Sequence, residues 1–130
     1  MTTEFVMDAS AILALIYGES GHDRVAAALP NSRICAVNLA EIVSSMIDEE
    51  IPLYDIERRM GRLLSKVVDL DRDLAMKAGL LREATRHKGL SLGDRACLAL
   101  AMRERLAVMT ADRAWRDLDL PVEVVLIREP

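Results

Sequence analysis

The sequence predicts an α/β fold with a mostly parallel central sheet and right-handed crossovers. Three observations carry this. Short apolar runs of strand length alternate with longer amphipathic stretches along the whole chain. The run Ile34-Cys-Ala-Val has four consecutive apolar residues, which suits a sheet covered on both faces. Caps and breakers fall between the runs, at Gly18, Gly21, Pro30, Pro52, Asp71 and Ser91.

Phe5-Val-Met reads as a buried strand closed by Asp8. Ala9-Ser10 opens a helix over Ala11 to Tyr17, and Asp23 to Leu29 is a second, short helix stopped by Pro30. Ile34 to Val37 is the second strand. Asn38 is a good N-cap with Glu41 three residues on, the capping-box spacing, so a helix is expected from Asn38 to Glu50. Its apolar stripe is Leu39, Ile42, Val43 and Met46. Pro52 starts another helix, Leu53 to Lys66, with Leu53, Ile56, Met60, Leu63 and Leu64 inward. Val67-Val68 is a short strand. Asp71 caps a long helix to His87, with Leu74, Ala78, Leu81 and Thr85 on one face. Ser91 caps the next helix, Asp94 lies in its first turn, and Leu98 and Ala101 share Asp94's face at i+4 and i+7. Leu106 to Met109 is a strand, followed by Thr110-Ala-Asp112 and a short helical turn carrying Trp115. Pro121 introduces the last strand, Val122 to Ile127.

A chain of 130 residues that is 52% hydrophobic suits one domain over residues 1–130, with a core of Leu, Ile, Val, Ala and Met because aromatics are only 3%. The 17 basic and 21 acidic residues give a net charge of −4, so any contact with nucleic acid must come from a local patch. Cys35 and Cys97 stand far apart in apolar runs and read as buried free thiols, with no zinc-type spacing. The early apolar run Ala9 to Ile16 is too short to span a membrane and no basic segment precedes it. A soluble, cytoplasmic setting is expected.

Four acids occupy related places. Asp8, Glu41 and Asp112 each follow a strand, and Asp94 opens the helix leading into the fourth strand. Ligands of open parallel sheets bind beyond the carboxyl ends of the strands. Each acid has a second reading, Asp8 and Asp112 as N-caps, Glu41 and Asp94 as capping-box partners. If all four converge, their pKa values rise unless a cation sits between them. An oxygen-only donor set points to Mg²⁺ or Mn²⁺, ions that polarise phosphates and activate water.

Phe5-Val-Met-Asp-Ala-Ser-Ala, Asn38-Leu-Ala-Glu, Leu92-Gly-Asp-Arg-Ala-Cys-Leu-Ala-Leu-Ala and Val108-Met-Thr-Ala-Asp-Arg-Ala-Trp resemble the successive motifs of the PIN-domain ribonucleases, most nearly the VapC-type toxins of toxin–antitoxin pairs. The resemblance spans nearly the whole chain. It implies a three-layer α/β/α sandwich, usually dimeric, that cleaves tRNA or rRNA with Mg²⁺ or Mn²⁺ and leaves a 5′-phosphate and a 3′-hydroxyl. It also implies neutralisation by a VapB-like antitoxin. Asp8, Glu41, Asp94 and Asp112 match the family's acidic quartet, with Asp8 and Asp94 as direct metal ligands. Glu41 then holds a second metal or orients water, and Asp112 acts through a water or the second ion. Ser10 and Thr110 match its supporting hydroxyls, though both residues also suit ordinary capping.

Around this quartet, Arg95 and Arg113 are either phosphate contacts or plain surface charges. Arg82, Arg86, His87 and Lys88 form either an RNA patch or a solvated helix end. His22 and His87 have no partner that would make them ligands, and Trp115 is a hydrophobic anchor rather than a stacking platform. Leu13, Ile16 and Met60 serve the core, a dimer interface or an antitoxin groove. A phospho-accepting receiver domain shares the length and alternation, but needs adjacent acids before Asp8, where Met7, Val6 and Phe5 stand, and a Lys within Pro121 to Pro130, where there is none. A haloacid-dehalogenase-type phosphatase would want Asp-x-Asp where this chain has Asp8-Ala-Ser10. A non-catalytic PIN-like binding module is the remaining alternative.

Overall fold

The structure is a computed structural model that describes residues 4–128, so the first three and last two residues of the expected unit lie outside it. Five strands form one sheet: β1 (Phe5–Met7), β2 (Ser32–Cys35), β3 (Val67–Val68), β4 (Ala107–Thr110) and β5 (Val124–Leu126). Their order is β3-β2-β1-β4-β5 and every pairing is parallel. Seven α-helices among the described residues connect them: α1 (Ala9–Tyr17), α2 (His22–Ala28), α3 (Ala36–Asp48), α4 (Leu53–Gly61), α5 (Arg72–Leu80), α6 (Arg82–Thr85) and α7 (Leu92–Glu104).

Alternation along each strand divides the core in two. Met7, Ile34 and Met109 face one cluster, closed by Ile12 of α1, Val25 of α2, Ile42 and Met46 of α3, and Ile56 and Met60 of α4. Val6, Cys35 and Val108 face the other, closed by Leu74 and Ala78 of α5, the run Ala96–Ala101 of α7, and Trp115. This is the expected three-layer sandwich. Helix α7 is buried on nearly every side from Ala96 to Ala101, because α5, α3 and three strands surround it. Cys35 and Cys97 are free, buried thiols, as expected. Among the described residues no helix is long and apolar enough to cross a membrane.

Several boundaries move, each for a physical reason. The second strand runs from Ser32 to Cys35, and Ala36 and Val37 already belong to α3. Asn38 is therefore inside the first turn rather than at the N-cap, which is Cys35. The helix expected over Leu53 to Lys66 ends at Gly61, and a 3-10 turn covers Leu64–Lys66. Leu53 and Leu64 are exposed at 63% and 57%, so only Ile56, Met60 and Leu63 face inward. The long helix expected from Asp71 to His87 breaks at Leu81 into α5, α6 and a 3-10 turn ending at Gly89 (φ 66°). The Thr85 hydroxyl donates to the Leu81 carbonyl at 2.7 Å at that break. Asp71 caps α5 as expected, accepting from the Leu74 N–H at 2.8 Å.

The chain steps outward from β1 to β2 to β3, then returns across the sheet to β4, beside β1 on the other side. The strand order reverses between β1 and β4. A crevice therefore opens beyond the carboxyl ends of these two strands, where such sheets bind ligands.

Candidate functional site

Asp8 follows β1 at that crevice. Its N–H donates to the Met109 carbonyl at 2.9 Å, which extends the β1–β4 pairing and sets Asp8 beside Thr110. Asp8 is only 4% exposed. It occupies the N-cap position of α1, yet its carboxylate makes no capping hydrogen bond. Oδ2 instead accepts from the Ser10 hydroxyl at 2.7 Å and the Thr110 hydroxyl at 2.9 Å. Ser10 Oγ in turn accepts from the Ala111 N–H at 2.9 Å, which stitches α1 to the end of β4. Of the two readings of Ser10 and Thr110, support of the acid holds.

Burial pushes the Asp8 carboxyl up to about 6. The two hydroxyls oppose the rise, and the charges of Asp94 and Glu41 add to it. Asp94 and Glu41 are thus the acids whose charge is felt at Asp8. Cys97 is fully buried in α7, and its thiol is held well above its ordinary range, first by burial and then by the charges of Asp8, Cys35, Asp94 and Glu41.

Glu41 lies on α3 one turn after Asn38, and the capping-box reading of this pair fails because the helix starts earlier. Asn38 is fully buried, and its Nδ2 donates to Glu41 Oε1 at 2.8 Å and to the Gly93 carbonyl at 3.2 Å. Its Oδ1 is buried with no partner among the described residues, a cost of about 1–3 kcal/mol. A Cβ built on Gly93 would collide with the Glu41 carboxylate. Only glycine lets α7 approach the acid this closely. Asn38 and Gly93 are the site residues that sequence reasoning misplaced or passed over. The one signal for them was a Gly immediately before Asp94 in a helix start, where glycine is otherwise unfavourable.

Asp94 keeps the capping reading. Its Oδ2 accepts from the Ser91 N–H at 2.9 Å while the Ser91 hydroxyl accepts from the Asp94 N–H at 3.2 Å. This reciprocal pair fixes the carboxylate at the start of α7 and leaves Oδ1 outside the cap. Asp112 is exposed and also caps: its Oδ1 accepts from the Ala114 N–H at 2.9 Å. It joins the Asp8 network through its own N–H, which donates to Thr110 Oγ1 at 3.1 Å. Arg95 turns away from the crevice, its Nη1 donating to the Ala78 carbonyl of α5 at 3.1 Å, so neither surface charge nor phosphate contact describes it. Arg113 is exposed, as are Arg82, Arg86 and His87. Trp115 is fully buried in the core, as an anchor should be.

Oxygen-only donors of this kind suit a hard divalent cation. A cation would also offset the cost of burying the Asp8 charge and the smaller repulsion from Asp94 and Glu41. Among the described residues, however, no three Asp, Glu, His or Cys side chains lie grouped so that they could hold a metal ion as they stand. Asp8, Glu41 and Asp94 each have an oxygen tied to the protein. The donor chemistry fits Mg²⁺ or Mn²⁺, with Asp8, Glu41 and Asp94 as the residues that would hold it.

The fold and these motifs have clear relatives. The chain is 37% identical to the VapC ribonuclease Mb2780c of Mycobacterium bovis, over 74% of this chain and 81% of that protein. Its fold matches a toxin–antitoxin complex from Klebsiella pneumoniae with a TM-score of 0.74 at 21% identity, covering 98% of this chain and 100% of that one. It also matches a DNA-bound VapBC from Salmonella typhimurium with a TM-score of 0.68 at 19% identity, covering 98% and 100%. The sequence profile of the PIN domain runs from residue 5 to residue 120, and so takes in Asp8, Glu41, Asp94 and Asp112 together. By that match and by the identity to its curated relative, the chain belongs to the PIN-domain family.

Proposed function

We propose that this chain, as one unit over residues 1–130, is a divalent-metal-dependent endoribonuclease and the toxin of a type II toxin–antitoxin pair. The observation that carries the reading is the buried Asp8 carboxylate at the switch point of the sheet, held by two hydroxyls. Capping does not explain this buried carboxylate, since it makes no capping hydrogen bond to the helix it precedes. The 37% identical relative is itself called a ribonuclease.

Asp8, Glu41 and Asp94 would hold Mg²⁺ or Mn²⁺, which would supply Lewis-acid charge to a phosphodiester and lower the pKa of water. Ser10 and Thr110 keep Asp8 in one rotamer by donating to Oδ2. Ser91 does the same for Asp94, and Asn38 for Glu41. The protein's part is thus positioning: three acids on three elements, each locked by a neighbouring hydrogen bond. Asp112 stands at the outer rim, beside the entry for a substrate strand.

The fold neighbours are VapBC complexes, which favours a VapB-like protein as partner. A groove of about 310 Å³ between α1 and α4 suits it, floored by Ile12, Ile16, Met60 and Leu63 and edged by Arg59 and Arg62. That arrangement fits an apolar segment with acidic flanks. Leu13 packs against the core instead.

The direct test is RNA cleavage with Mg²⁺, with Mn²⁺ and with chelator, by wild type, Asp8→Asn and Asp94→Asn. The Asp94→Asn change keeps an acceptor for the Ser91 N–H, so it removes charge without removing the cap. Metal-dependent cutting by wild type and a loss of at least about 100-fold in both variants is expected. Wild-type cutting rates in either purified variant would overturn the assignment.

A further inference from the structure

We propose that Asn38 is a positioning residue of this site, whose carboxamide clamps the Glu41 carboxylate to the start of α7 and so sets the spacing between Glu41 and Asp94. The inference deepens the nuclease reading and rests on it for its functional consequence.

Asn38 and Glu41 are three residues apart on α3, where side chains of one helix face meet. The two protons of Nδ2 go to Glu41 Oε1 and to the Gly93 carbonyl. Both partners are acceptors, so the amide has only one chemically allowed orientation. The reversed amide would set Oδ1 against two acceptors. In the allowed orientation Oδ1 is left buried without a partner among the described residues. A polar group retained for stability alone would have both ends satisfied, and an apolar side chain would avoid the orphaned atom. The side chain is therefore explained by what Nδ2 does.

Nδ2 joins two helices at their chemically important turns. Gly93 directly precedes Asp94, and its missing Cβ makes the seat for the Glu41 carboxylate. One amide thus holds one acid and grips the backbone next to another. The substitutions that fit the pocket do not reproduce this. Leu offers no donor, and Ser or Thr is too short to reach both acceptors.

The experiment has two arms. In the first, ¹H–¹⁵N spectra of the metal-free protein follow the Asn38 side-chain NH₂. Its protons are expected to be protected from exchange and to shift in Glu41→Gln. Fast exchange with no response to Glu41→Gln would overturn the clamp, whatever the protein's activity.

In the second arm, Mn²⁺ affinity by calorimetry, and kcat and KM on RNA, are measured for wild type, Asn38→Ala, Glu41→Gln and the double variant. Asn38→Ala is expected to weaken Mn²⁺ binding and lower kcat by about 10- to 100-fold, the usual effect of removing a partner that orients a ligand. The KM for RNA should stay within about twofold, since Asn38 makes no substrate contact. The double variant should be no worse than Glu41→Gln alone, because Asn38 acts through Glu41. Additive losses, or a loss confined to KM, would overturn the proposal. Asn38→Leu, similar in size and without a donor, carries the same expectations if Asn38→Ala does not fold. A wild type that neither binds Mn²⁺ nor cuts RNA would sink the nuclease reading, while the first arm still decides the clamp.

Discussion

Ionising Asp8 puts a charge on a residue that is 4% exposed, where burial and, to a smaller extent, the charges of Asp94 and Glu41 oppose it. The folded carboxyl titrates at about 6 against 3.8 for the ordinary group, so between these pH values the folded state holds a proton that the unfolded state has released. The associated stability is fully present below the unfolded pKa and is lost as pH rises through 6. The difference corresponds to about 3 kcal/mol above that window. Replacing Asp8 with Asn removes the charge and keeps an acceptor for Ser10 and Thr110. The metal-free Asp8→Asn protein should be more stable than wild type by about 1–3 kcal/mol near neutral pH, and the advantage should shrink towards zero by about pH 4. Denaturant unfolding of both proteins across that range checks it. A pH-independent difference would mean that Asp8 is not the titrating group.

At the scale of elements, the site depends on how closely α3 and α7 approach. Gly93 permits the contact, and a methyl group there meets the Glu41 carboxylate. Gly93→Ala should therefore displace Glu41, and lower Mn²⁺ affinity and RNA cleavage together by about 10- to 100-fold. Helix content by circular dichroism should be unchanged, since Ala favours helix over Gly. Unaltered Mn²⁺ affinity would show that Glu41 does not belong to the ion's surroundings. This contact also marks what the sequence could not disclose. The capping box of α7 was legible from Ser91 and Asp94, because capping is local chemistry. Asn38 also had the local signature of a cap, but Ala36 and Val37 entered the helix ahead of it once β2 ended at Cys35. Its real partners, Glu41 and Gly93, include one 55 residues away. Leu53 and Leu64 carried the period of a buried face, yet α4 is too short to bury both of its ends.

For the molecule as a whole, alternation was enough to predict the sheet, because apolar strands alternate with helices up to β4, and only the β4–β5 connection is made by a 3-10 turn and loop. The order β3-β2-β1-β4-β5 then sets Asp8, after β1, beside Thr110 at the end of β4, where the strand order reverses. The sequence did point to four acids, but not to how they differ. Asp8 and Glu41 escape capping, whereas Asp94 and Asp112 cap the turns they begin. Such a site exists only in the folded chain, so an ion bound there must raise the melting temperature. The measurement that tests the central claim most directly is that shift on adding Mn²⁺ to chelator-stripped wild type and Asp8→Asn, near pH 7.5 and near pH 5. Wild type should shift near pH 7.5 and much less near pH 5, where Asp8 holds its proton, and Asp8→Asn should not shift at either. An equal shift in Asp8→Asn would contradict the account, placing the ion away from the buried carboxylate at the centre of the sheet.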